Sequence, residues 1–196
     1  ILNNMIDHEN KFIYIHIPKC GGTSVLTHLD SPDVNGDSHW HYNRKPINEN
    51  LVQDYFVFTF VRNPWDRFVS EVNWLKHNRP NTNSMSFERI CRKFKNNRFQ
   101  KYIGKSLAKT HLIPQYDSAS YAVRDISNVD FIGRFENLQE DFNTICDKIG
   151  IPRQKLPHKN KSKHKHYTEY YNDETRQIIA EIYAKDIEYF GYEFGE

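Results

Sequence analysis

The sequence predicts an α/β fold: a central, mostly parallel sheet flanked by helices. Three observations predict it. Residues 12–17 (Phe-Ile-Tyr-Ile-His-Ile) and 55–61 (Tyr-Phe-Val-Phe-Thr-Phe-Val) are near-continuous aromatic and β-branched runs, the pattern of strands covered on both faces. Helical patterns follow both runs, a short one over residues 23–29 and an apolar stripe at helical spacing from Trp65. Residues 129–135 repeat the strand-then-helix order near the end, and strands alternating with helices imply parallel pairing.

The elements read in order as follows. Residues 12–17 form a strand and residues 23–29 a short helix. Residues 30–45 are polar and irregular, with Pro32, Gly36, His39 and His41. Residues 46–53 suit one or two helical turns, and 55–61 form the next strand. Arg62-Asn63-Pro64 ends that strand, with Asn63 placed to cap a helix and Pro64 at its first position. Trp65, Phe68, Val69, Val72 and Leu75 then recur on one helical face. Residues 77–84 read as an Asn-rich loop. Phe87, Ile90, Cys91 and Phe94 mark a helix with a basic outer face, and residues 99–120 read as mostly loop. After the strand at 129–135, Leu138, Phe142, Ile145, Cys146 and Ile149 form a helical stripe stopped by Gly150 and Pro152. Residues 153–166 contain no acidic group. Asn172-Asp-Glu caps a long last helix with Ile178, Ile179, Ile182, Tyr183 and Ile187 inward. No repeat and no linker appears, and 196 residues suit one domain over 1–196.

Composition narrows the function classes. The apolar fraction is 38%, but 13 Phe, 12 Tyr and 3 Trp provide large buried area per residue. No run approaches the ~18 apolar residues of a membrane span. Polar residues from Asn3 to Glu9 interrupt any signal-like start. Three widely spaced cysteines without a C-x-x-C argue against a structural zinc site or a disulfide framework. They fit reduced thiols in a cytoplasmic protein. A Golgi-lumenal domain with its anchor removed is the alternative. A formal charge of +2 gives no global polybasic character.

The loop at 18–24 (Pro-Lys-Cys-Gly-Gly-Thr-Ser) joins a strand to a helix start. Backbone N–H groups of such a turn converge on one point, the helix dipole adds positive potential, and Lys19 adds a full charge. The guest this suits is a phosphate-like anion. It is not the loop of triphosphate-binding proteins, where lysine follows the last glycine; here Lys19 precedes Gly21 and Gly22. A second constellation, Arg62-Asn-Pro-Trp-Asp-Arg67-Phe-Val-Ser70, occupies the same kind of place at a strand's carboxyl end, where ligands bind in open α/β sheets. Arg62 offers a planar fork for a terminal phosphate and Ser70 a hydroxyl. Two such places suggest a ligand with two anionic ends. The plain alternative is that Arg62 and Arg67 make surface ion pairs and Ser70 fills a helix.

Together, residues 18–24 and 60–70 resemble the sulfotransferase superfamily, in particular Golgi-type, heparan 2-O-like and bacterial carbohydrate sulfotransferases. Residues 129–138 and 170–176 extend the resemblance, in order, over most of the chain; Cys20 departs from the more familiar Thr. The resemblance implies a three-layer, P-loop-like sulfotransferase fold and transfer of a sulfuryl group from 3′-phosphoadenosine-5′-phosphosulfate (PAPS) to an acceptor hydroxyl, with 3′-phosphoadenosine-5′-phosphate (PAP) as product and no metal. Lys19, Cys20, Gly21, Gly22, Thr23 and Ser24 would hold the 5′-phosphosulfate, with Lys19 stabilising the leaving phosphate by in-line displacement. Arg62 and Ser70 would hold the 3′-phosphate. Lys161, Ser162 and Lys163, in the basic run, would fold over the nucleotide.

The acceptor needs a base. His41, with His39 second, lies roughly where similar carbohydrate enzymes carry a catalytic histidine; His111 and Glu71 are further candidates. His111, Gln115 and Arg134 fall at substrate-side positions of the resemblance, while Arg134 also suits a buried pair with Glu136 or Asp130. A sugar or other hydroxyl-bearing acceptor is expected, and neither nucleic acid nor a membrane segment. The competing classes are a kinase, which would need a Walker-type lysine, and a non-catalytic nucleotide- or glycan-binding module, which would not need His39 or His41.

Overall fold

The computed structural model describes residues 4–29, 46–104, 108, 110–156 and 165–196. The strands are β1 (Met5–Asp7), β2 (Phe12–Ile15), β3 (Phe56–Val61) and β4 (Phe131–Arg134). The helices are α1 (Gly22–His28), α2 (Glu49–Asp54), α3 (Pro64–Asn78), α4 (Pro80–Asn83), α5 (Phe87–Lys95), α6 (Gln100–Ile103), α7 (Gln115–Val123), α8 (Leu138–Ile149), α9 (Asp173–Ile182) and α10 (Ala184–Phe190). The chain forms two compact units, one of Ile1–Val61 with Gln115–Lys161, the other of Arg62–Pro114 with Ser162–Glu196.

The first unit holds the sheet, in the order β1-β2-β3-β4. β2–β3 and β3–β4 are parallel, and β1 runs antiparallel to β2 with Met5 opposite Tyr14. Alternation sorts two apolar faces. Ile13, Ile15 and Val57 pack with Ile6, Ile47, Ala122 and Val123. Phe12, Tyr14, Phe58 and Phe60 form an aromatic ladder on the opposite pleat, with Tyr14 stacked on Phe58 at 5.1 Å. Both faces of β2 and β3 are therefore covered, which is why their sequences lack a polar alternation. Burial, with the Cys20 thiol adding to it, pushes the Tyr14 phenol well up. Gly133 stands opposite Phe60 in the ladder, and a Cβ there would lie 2.5 Å from the Phe60 ring. Glycine makes room for the aromatic face. Asp130 ties the β3–β4 entrance by accepting the Val57 N–H at 2.7 Å.

β1 has no counterpart among the expected strands. It is three residues long, and its turn is set by Asp7, whose carboxylate accepts the N–H groups of Glu9 and Asn10. Residues 115–123 form α7 rather than loop; its inward positions are Gln115, Ser118, Ala119, Ala122 and Val123, too small and polar to show an apolar stripe. α8 follows the expected stripe and ends on Gly150 in the left-handed region (φ 76).

The second unit is helical. α3 starts as read: Asn63 accepts the Trp65 N–H at 3.2 Å and Pro64 occupies the first turn. Trp65, Phe68, Val69, Val72 and Leu75 are buried with Phe87, Ile90 and Cys91 of α5 and Ile178 and Ile179 of α9. At ~1.5–3 kcal/mol for each large apolar side chain buried, this cluster is the unit's main stabilising element. Burial pushes the Cys91 thiol up to about 12, so Cys91 is an inert core residue. α3 runs on to Asn78 and Pro80–Asn83 is helical, where a loop was expected. The long last helix breaks at Tyr183 into α9 and α10.

Candidate active site

The first unit builds the anion loop from residues 18–24. Lys19 is held at φ 71 and Gly21 at φ 80, both in the left-handed region. A lysine there carries strain that glycine would not, and such strain collects at functional sites. Two side chains hold the turn. The Cys20 thiol is fully buried, and its single hydrogen has Gln115 Oε1 at 3.2 Å as the nearer acceptor and the Pro18 carbonyl at 3.7 Å as the farther. Cys20 therefore anchors the loop from inside, and Gln115 of α7 is its partner rather than a surface group. The bonding of α1 begins with the Ser24 and Val25 N–H groups on the Gly21 carbonyl. No side chain caps the helix, so the first-turn N–H groups of Gly22 and Thr23 face outward from it. Ser24 is buried and Thr23 exposed.

Gly22 is required by space. A Cβ there would lie 2.1 Å from His16 Nε2, with the ring lying over the first turn of α1. Gly22→Ala should therefore destabilise the protein by ~1–3 kcal/mol, read from chemical denaturation. A neutral result would mean that the His16 ring does not rest there. His16 escaped the sequence reading because it looks like one more residue of a buried strand.

The second unit carries the Arg62–Ser70 constellation, with Arg62 just before the α3 cap and Ser70 on α3. Arg62 is 8% exposed and is held by Asp66 through Nε at 2.8 Å and Nη2 at 2.7 Å. Ser70 lies within α3, nearly two turns from its start, and is 9% exposed. The Arg62–Asp66 pair is largely buried rather than on the surface. Arg67 is 2% exposed and donates to the carbonyls of His111 (2.9 Å) and Ile113 (3.1 Å), with its guanidinium over the Tyr183 ring. His111 Nδ1 lies 3.1 Å from both carboxylate oxygens of the buried Glu71, and its ring packs on Trp74. Tyr183, at the helix break, donates its hydroxyl to the Leu112 carbonyl at 3.0 Å. Burial raises that phenol while Arg67 pulls it the other way.

Arg134 is exposed, and its backbone N–H donates to Asp141, while the Asp130 carboxylate accepts the Val57 N–H. His39, His41, Lys161, Ser162 and Lys163 lie outside the described residues. Among the described residues no cluster of His, Cys, Asp and Glu suits a metal ion, and no helix is long and apolar enough to cross a membrane.

Known proteins resemble this chain in sequence and fold. A protein of Archaeoglobus fulgidus with no assigned function is 33% identical over 111 residues, 57% of this chain and 81% of that protein. The crystal structure of a sulfotransferase from Alicyclobacillus acidocaldarius aligns with a TM-score of 0.52 over 91% of this chain and 92% of that chain, at 13% identity, and so shares the fold. The Sulfotransferase family matches residues 3–193, nearly the whole sequence. With an α/β fold of a mostly parallel sheet and flanking helices, the chain belongs to the sulfotransferase family.

Proposed function

We propose that this protein transfers a sulfuryl group from PAPS to a hydroxyl of a carbohydrate acceptor, in the cytoplasm. The observation that carries the reading is Lys19, held in left-handed backbone directly before a Gly-Gly turn that opens a helix. PAPS supplies an activated sulfuryl group bonded to a phosphate. The donor set fits such a group: one lysine, the N–H groups of Gly21 and Gly22, and the hydroxyls of Thr23 and Ser24 are all donors suited to an anion. The loop has no room for extra side chains at Gly22, as a close phosphate approach needs. Lys19 would neutralise charge left on the phosphate. Arg62, oriented by Asp66, and Ser70 would hold the 3′-phosphate, with Lys161, Ser162 and Lys163 closing on the nucleotide. A histidine would take the acceptor's proton; the sequence favours His41, then His39.

Calorimetry with PAP, AMP and ATP tests the reading. PAP should bind at least ~10-fold more tightly than AMP, about 1.4 kcal/mol, and Arg62→Gln should remove that difference. Equal affinities for PAP and AMP in the wild-type protein would overturn the cofactor assignment.

A further inference from the structure

The anion loop offers three consecutive backbone donors. Among the described residues the N–H groups of Gly21, Gly22 and Thr23 donate to nothing, while those of Ser24 and Val25 donate to the Gly21 carbonyl. Left-handed residues stand on both sides of Cys20, Lys19 at φ 71 and Gly21 at φ 80. A short run of backbone that alternates hand gathers its N–H groups into a concave nest for an anion. Cys20 is the residue at the centre of that run, so fixing its side chain fixes the nest.

Cys20 is held from behind. Its buried thiol lies 3.2 Å from Gln115 Oε1, and Gln115 is itself 0% exposed. Gln115 opens α7, which is seated on the strand that leads into the loop. Ala122 and Val123 of α7 pack with Ile13 and Ile15 of β2, and the Ala122 carbonyl accepts the Ile47 N–H at 2.8 Å. All of these contacts lie within the first unit. A path of fixed groups thus runs from β2 through α7 and the carboxamide to the centre of the nest. A carboxamide is costly to bury, and here its oxygen faces a thiol, a weak donor. Such a bond adds little to overall stability. What it sets is the shape of the loop.

We infer that Gln115 is a positioning residue for the 5′-phosphate: through Cys20 it fixes the nest that receives that group beside Lys19. The inference rests on the proposed use of PAPS. It also moves Gln115 away from the acceptor side, since a fully buried carboxamide behind the loop meets no acceptor.

Gln115→Met tests it in the full chain, because methionine keeps much of the volume and removes the acceptor. The first readout needs no ligand: the rate of methyl methanethiosulfonate labelling at each cysteine, resolved by mass spectrometry. Cys20 should label at least ~10-fold faster in the variant, as its thiol loses the nearer acceptor and the loop opens more often, with Cys91 and Cys146 unchanged. An unchanged Cys20 would overturn the inference, and so would equal acceleration at all three thiols, which means general loosening. The second readout is calorimetry with PAP and adenosine 3′-monophosphate, which differ only in the 5′-phosphate. Gln115→Met should weaken PAP at least ~10-fold and the 3′-monophosphate by less than ~2-fold. Cys20→Ala should weaken PAP similarly, and the double variant no further than the weaker single variant, because both act through one contact. Parallel losses for the two nucleotides, or additive losses in the double variant, would sink the assignment. Failure of the wild-type protein to bind PAP would strike the proposed function instead, and the labelling rates would still decide whether Gln115 holds the loop.

Discussion

Lys19→Ala should lower kcat by about 10²–10³-fold while PAP affinity changes by no more than a few-fold. The split follows from when the charge appears. A lysine that meets charge building on a departing phosphate contributes more to the transition state than to the ground state. The backbone supports this placement. Lysine at φ 71 costs about 1–2 kcal/mol relative to glycine, so the surroundings must hold it there. The Cys20 thiol on Gln115 and the left-handed Gly21 contribute to holding it. Lys19→Gly should lose the same activity yet be more stable than Lys19→Ala, because only the backbone penalty differs. Steady-state rates with PAPS, calorimetry with PAP and denaturation of the two variants check the three statements. Equal losses of kcat and PAP affinity would make Lys19 a phosphate holder and no more.

Arg67→Met should cost about 3–5 kcal/mol of folding stability, a fall in melting temperature on the order of 10 °C. Methionine fills similar volume, so the loss isolates the polar contacts. It strands the carbonyls of His111 and Ile113, which otherwise accept charge-assisted hydrogen bonds. Arg67→Lys should recover only part, since an ammonium on a flexible stem does not reproduce the fork that reaches both carbonyls. Urea denaturation of the two variants measures this. A cost under ~1 kcal/mol for Arg67→Met would contradict the buried geometry.

What the sequence revealed was local. The runs that became β2 and β3 are buried on both faces, so their own composition announces them. The Asn63-Pro64 start of α3 and the Lys19–Ser24 turn are readable because capping and anion binding at a strand-to-helix turn need only a handful of consecutive residues. Hidden features depended on partners far along the chain. β1 exists because β2 offers an edge to it, and three residues carry no period of their own. α7 turns Ser118 and Ala119 inward, which removes the apolar stripe that marks a helix. Arg67 looked like a surface cation because its acceptors lie more than 40 residues away, at 111 and 113. The same distance concealed the pairing of Glu71 with His111, although both were weighed as candidates. Motif residues were thus found and their supporting shell was not, since the motif is a local pattern and the shell a tertiary one.

The cap of α3 has a further consequence. Asn63 Nδ2 donates to the Glu193 carbonyl at 2.8 Å and lies 3.4 Å from the Tyr167 hydroxyl, which in turn accepts the Gly195 N–H. The helix that bears Ser70 and follows Arg62 is thereby bolted at its start to residues some 130 positions later. Contacts of such separation form late, because the chain between them must be ordered first. During synthesis the α3 cap therefore stays unfinished until residues 193–195 emerge from the ribosome. The residues of the anion loop emerge long before that moment, so the turn around Lys19 is translated early and the start of α3 is secured only later.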